Sequence, residues 1–107
     1  MKTKPWYQQG DVIIEPAVAP KNAETVAPTP RGHVLEDSVA TGHAHVIARP
    51  VHTTVLKAGV ERFVIAKRAF TVSHEEHNPI TIPPGVYRVR GVQEYDHFEE
   101  EARRVID

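Results

Sequence analysis

The sequence contains no cysteine among its 107 residues, which excludes disulfide bonds and thiolate ligands for a metal. It also has no apolar run near the roughly 20 residues that a membrane-spanning helix needs. The first residues, Met-Lys-Thr-Lys-Pro-Trp, lack the apolar stretch of a secretory signal peptide. We therefore expect a protein of the cytoplasm, or of a virion if the gene is viral, without a membrane partner.

Neither sign of charge dominates. The formal net charge of −1 offers no electrostatic reason to bind nucleic acid. Apolar residues make up 40% of the chain and charged residues 25%, which is typical of one globular domain, placed here at residues 1–107. The acids are concentrated in a tail, residues 94–107, which carries six of them against two arginines. Such polarity favours contacts between copies, so the expected partner is a second copy or a larger protein assembly.

Short apolar runs separated by turn-forming residues predict an all-β fold. About eight strands are expected, at residues 12–14, 33–36, 43–48, 53–57, 60–66, 69–73, 80–82 and 86–95. This number of short strands indicates a small barrel or a sandwich. Between the first two strands, residues 16–32 hold four of the nine prolines and predict a long loop. A two-residue hairpin turn is predicted at Ala58-Gly59, and residues 98–106 are predicted to form a short C-terminal helix or an extended tail.

Four of the seven histidines fall in two close pairs. His43 and His45 are two residues apart on a predicted strand, which directs both imidazoles to one face, about 7 Å apart between Cα atoms. His74 and His77 are three residues apart and precede Asn78-Pro79, where a turn would bring their rings together. If the segment with His74 and His77 folds back towards His43 and His45, the two pairs form one shared site.

The shared site is predicted to bind a metal through His43, His45, His74 and His77, with a carboxylate added by Glu75 or Glu76. Such ligands suit zinc, nickel, iron or manganese. The alternative is a set of histidines that hydrogen-bond across strands or respond to pH. Neither catalytic residues nor an organic cofactor is predicted, because the sequence lacks a phosphate loop, a dinucleotide fingerprint and a nucleophile elbow.

Four short segments stand out as motifs: GDVII (residues 10–14), TGHAH (41–45), HEEH (74–77) and EYDHF (94–98). Taken together they resemble a family of small uncharacterised proteins from bacterial genomes and from phage or mobile-element contexts. The His43-Ala44-His45 segment and the later Pro83-Pro84-Gly85 turn are more weakly similar to the cupins. Cupins carry a third histidine after that turn, where this sequence has Tyr87 or Arg88, so His74 or His77 would have to replace it. The cupin resemblance implies a metalloenzyme acting on a small molecule.

Three functions follow from these observations. The first is a non-catalytic, self-associating β module, such as a decoration or assembly protein of a phage or shell, that carries the histidine metal site. The second is the cupin-like metalloenzyme. The third is a binding module whose histidines sense pH between about 5 and 7. Because no acid–base pair or nucleophile accompanies the histidines, the first function is the one we expect.

Overall fold

The computed structural model describes residues 6–37, 40–92 and 104–106. Within these ranges the chain forms strands and turns and contains no helix, which confirms the all-β prediction. The strands are β1 (Trp6–Gln9), β2 (Val12–Pro16), β3 (Glu24–Val26), β4 (His33–Asp37), β5 (Ala44–Ile47), β6 (Thr53–Ala58), β7 (Glu61–Ala66), β8 (Phe70–Val72), β9 (Ile80–Ile82), β10 (Gly85–Gly91) and β11 (Arg104–Ile106). Three of them, β1, β3 and β11, are additional to those that the sequence predicts.

The strands form a sandwich of two unequal layers. Seven strands make the larger sheet in the order β11-β1-β2-β10-β7-β6-β3, in which β1 and β11 are parallel and the other pairs antiparallel. The hairpins β4-β5 and β8-β9 make the second layer. They are joined by two backbone hydrogen bonds between Val46 and Ser73, of 2.9 and 2.8 Å. The sheet does not close into a barrel, because β11 and β3 lie at its opposite edges.

The core lies between these layers. The large sheet contributes alternate side chains, as expected when one face of a sheet packs on a second layer. The hairpins contribute side chains that face them. The core cluster is Tyr7, Val12, Ile14, Val55, Val64, Ala66, Tyr87 and Val89 from the sheet, and Leu35, Ile47, Phe70, Val72, Ile80 and Ile82 from the hairpins.

Two hairpin turns place a glycine at their first residue. Gly59-Val60 connects β6 to β7, with Ala58 paired to Glu61. The predicted turn at Ala58-Gly59 is therefore wrong by one residue: Gly59, with φ of 63°, takes the left-handed conformation that alanine would resist. Gly10-Asp11 connects β1 to β2 in the same way, with φ of 59° at Gly10. Each turn has the glycine position of a type II′ hairpin.

Of the two forms predicted for residues 98–106, a short helix or an extended tail, the described residues Arg104–Ile106 take the extended one and form β11 beside β1. The positions 93–103 and 107, which include most of the predicted acidic tail, lie outside the described residues. The predicted long loop, residues 16–32, contains the edge strand β3 (Glu24–Val26), whose partner is β6. No helix in the described ranges has the length and apolar character needed to cross a membrane.

Candidate metal centre

The two histidine pairs meet in one cavity of about 390 Å³ at the end of the second layer. His43, His45, His74 and His77 all line it. The cavity wall is completed by Gly10, Asp11, Glu36, Thr41 and Glu76. The structure therefore brings together all four histidines that the sequence singles out.

The pairing of Val46 with Ser73 explains why the histidines converge. In an antiparallel register, residues that precede Val46 lie opposite residues that follow Ser73. His45 therefore faces His74, and their ring centroids are 4.3 Å apart. Two residues further out, His43 faces Glu76, with 3.2 Å between Nδ1 and the carboxylate Oε1.

The ring separations can be compared with those expected around a coordinated ion. With a Zn–N distance of about 2.0–2.1 Å, tetrahedral geometry places the centroids of two coordinated imidazoles about 5 Å apart. The centroid distance is 4.8 Å for His74 and His77, and 5.6 Å for His43 and His74. For His45 and His77 it is 6.3 Å. These three distances, and the 4.3 Å between His45 and His74, each lie within about 1.3 Å of that value.

His45 is the most buried of the four histidines, and its ring is held by a hydrogen bond. Its Nδ1 lies 2.8 Å from Oε1 of Gln9, a fully buried side chain on β1. Its Nε2 is directed at the cavity, 3.7 Å from Oδ1 of Asp11. Burial, followed by the proximity of His74, holds the pKa of His45 below its ordinary value of 6.5. The ring is therefore neutral at pH 7, the form in which histidine binds a metal.

The two glutamates between His74 and His77 have different surroundings. Oε1 of Glu75 accepts the Ala44 N–H at 2.9 Å, and Oε2 forms an ion pair with Arg31 at 2.6 Å. The Ala44 hydrogen bond is the main reason why the pKa of Glu75 is lowered. One oxygen of Glu75 lies within 4.8 Å of ligand atoms of His43 and His74. Because both its oxygens already accept hydrogen bonds, Glu75 ties the two histidine segments together, and Glu76 is the carboxylate that faces the cavity.

His77 packs against the β1–β2 turn. A Cβ atom added to Gly10 would lie only 2.5 Å from Nε2 of His77. The turn can therefore approach the histidines this closely because residue 10 is glycine. Sequence reasoning missed this wall of the cavity, although a glycine at a hairpin turn beside a charged residue, Asp11, was a visible signal.

Gln9 and Arg31 are the other residues that sequence reasoning missed. Gln9 follows Tyr7 by two residues in a strand, so alternation places both on the buried face. A buried glutamine needs partners, and that requirement was a signal for a polar contact in the core. Arg31 gave no such signal, because its contacts with Glu75 and with the Gly42 carbonyl depend on the folded loops.

No curated protein and no solved structure matches the chain. A family model, described as a domain of unknown function (DUF8820), matches residues 8–92. That range includes β2 through β10 and all four histidines of the cavity. The chain therefore belongs to this uncharacterised family.

Proposed function

We propose that this protein is a non-catalytic β domain that binds one divalent transition-metal ion in the cavity lined by His43, His45, His74 and His77. The convergence of these four rings, at separations close to those of a coordinated ion, carries the proposal. Imidazole ligands suit zinc and nickel better than manganese, which prefers carboxylate and carbonyl oxygens. Zinc is the first ion to test.

The electrostatics of the cavity also support the binding of a cation. Asp11, Glu36 and Glu76 line it together with the histidines. Their carboxylates favour a positive ion, and the neutral ring of His45 has a lone pair for it.

Metal binding requires a change in the hydrogen bonding of His74. Nδ1 of His74 accepts a hydrogen bond from the Glu76 N–H, with 3.0 Å between the nitrogens. Neutral His74 then carries its proton on Nε2. Coordination through either nitrogen breaks this arrangement, so we expect zinc to shift the backbone resonances of residues 74–76.

The role that we infer for the metal is to stabilise the fold. A domain of this size has a limited core, and a metal that binds the folded state adds its binding free energy to stability. The ion would connect the start of β5 to the segment between β8 and β9. At a free zinc concentration of about 100 times Kd, the free energy of unfolding would rise by about 2.7 kcal/mol.

Metal analysis of tag-free protein tests the proposal. We expect one zinc per chain by elemental analysis, and a steep loss of zinc affinity in His74→Gln, since His74 is central to the cluster. The matched control is His52→Gln, which removes an exposed histidine outside the cavity and should bind zinc like the wild type. Wild-type protein that takes up no zinc, or variants that bind it equally, would refute the proposal.

A metalloenzyme is the second candidate, and the cavity favours it because a volume of about 390 Å³ is within the range of small-molecule sites. Catalytic metal sites keep an open coordination position, whereas structural sites are closed. The visible spectrum of the cobalt-substituted protein separates the two. A spectrum that changes on adding azide indicates an open position and favours the enzyme; an unchanged spectrum favours the structural role.

Self-association stays a prediction. Both edge strands of the large sheet, β3 and β11, have three residues, and short edge strands limit pairing between sheets. Sedimentation velocity between pH 5 and 8 tests self-association and the pH-sensing alternative together. Dimers at every pH support association, and a change of state near pH 6 supports the sensor.

A further inference from the structure

The Gln9 side chain connects the two halves of the histidine cavity. Its Nε2 lies 3.0 Å from the Val72 carbonyl oxygen and 2.9 Å from the Asn78 carbonyl oxygen. These two residues lie on either side of the segment that contains His74 and His77. The same amide contacts His45 through Oε1. One buried side chain therefore contacts His45 and both ends of the segment that carries His74 and His77.

The chemistry of these contacts determines the orientation of the amide. Carbonyl oxygens only accept hydrogen bonds, so the atom between Val72 and Asn78 has to be the NH₂ group of Gln9. Oε1 then faces His45, and because Oε1 only accepts, Nδ1 of His45 has to donate. Neutral imidazole has one N–H, which leaves a lone pair on Nε2. That Nε2 faces the cavity, and its 3.7 Å distance from Asp11 is longer than a hydrogen bond.

We propose that Gln9 is a positioning residue that holds His45 in the Nδ1–H tautomer and presents its Nε2 to the metal. The idea that Nε2 is a ligand atom rests on the proposed function, whereas the tautomer does not. A metal-binding histidine commonly donates its other ring N–H to a neighbouring acceptor, which fixes its orientation. Gln9 has this role and also holds both ends of the segment that carries the opposing histidines.

Nitrogen-15 NMR of the metal-free wild-type chain at pH 8 tests the tautomer directly. Long-range proton–nitrogen correlation spectra distinguish protonated from unprotonated ring nitrogens. For His45 we expect a protonated Nδ1 and an unprotonated Nε2, and we expect added zinc to shift the Nε2 resonance. A His45 protonated on Nε2 would overturn the inference.

The variant Gln9→Met tests positioning, because it keeps a long side chain but removes all three hydrogen bonds. Loss of such a supporting contact lowers metal affinity by about 10- to 100-fold, and we expect this result with a mixed His45 tautomer. The control is Thr54→Val, a change from a polar to an apolar side chain at an exposed position of β6 outside the cavity. We expect its zinc affinity to stay within about twofold of wild type.

Unchanged affinity and an unchanged tautomer in Gln9→Met would overturn the inference. If this variant does not fold, the wild-type spectrum decides alone. A wild-type chain with the Nδ1–H tautomer that binds no zinc would refute the metal function and support the positioning of His45 by Gln9. Zinc binding with the opposite tautomer would refute the positioning and support the metal function.

Discussion

The β1–β2 turn offers a direct test of how closely the fold controls the histidine cavity. Substituting Gly10→Ala adds one methyl group at a residue with φ of 59°, and that methyl would lie 2.5 Å from Nε2 of His77. Two effects are expected. The backbone becomes strained, and the imidazole has to move away from the turn.

The cost of the backbone strain and the displacement of the His77 ring can both be calculated approximately. An L-residue in the left-handed region costs about 1–2 kcal/mol. For an ordinary contact of 3.4 Å, the His77 ring has to retreat by about 0.9 Å. Metal–ligand distances tolerate only about 0.2 Å, so His77 would no longer bind well. If about 10–16 kcal/mol of zinc binding is divided among four ligands, loss of one lowers affinity by roughly 100- to 1,000-fold.

The variant Gly59→Ala is the matched control. Gly59 occupies the same position of the same kind of turn, with φ of 63°, but an added Cβ would meet no atom within 4 Å. Urea denaturation of both metal-free variants should show similar losses of stability. Zinc titration by calorimetry should show a loss of affinity in Gly10→Ala alone. Equal zinc affinities in the two variants would refute the reasoning about His77.

Three further predictions concern stability. His52 has a φ of 69°, a conformation that strains a residue with a side chain. After the entropy cost of glycine is subtracted, His52→Gly should raise the free energy of unfolding in urea by roughly 0.5–1 kcal/mol. A fall in the free energy of unfolding would contradict the strain. Because the pKa of His45 is lower when folded than its ordinary 6.5, the unfolded chain binds the proton first, and the metal-free protein should lose stability as pH falls below 6.5; a urea midpoint that is constant from pH 8 to 5 would exclude this. Ile14→Ala, at a fully buried position of the central sheet, should cost about 2–5 kcal/mol in thermal or urea unfolding, whereas Val18→Ala, 90% exposed, should change it by less than about 0.5 kcal/mol.

The β segments were predictable because their signals are local. Alternation of apolar residues and the position of turn residues depend on a few neighbouring residues. Phe70 and Val72 were therefore recognisable as one buried face. The strands at Glu24–Val26 and Arg104–Ile106 were missed because each pairs with a distant strand and has little pattern of its own. The strand at Trp6–Gln9 was missed although its partner β2 follows it directly across the Gly10-Asp11 turn.

The histidine site, too, was predictable from the sequence only in part. The sequence alone determined which four side chains to examine, because two close pairs of metal-binding residues are visible without a structure. Only the tertiary structure decided that the pairs meet, since the pairing of Val46 with Ser73 places His45 opposite His74. It also decided that Gln9 holds the cavity and that Glu76 faces it. Those contacts join segments far apart in the chain, and their register depends on packing of the whole core.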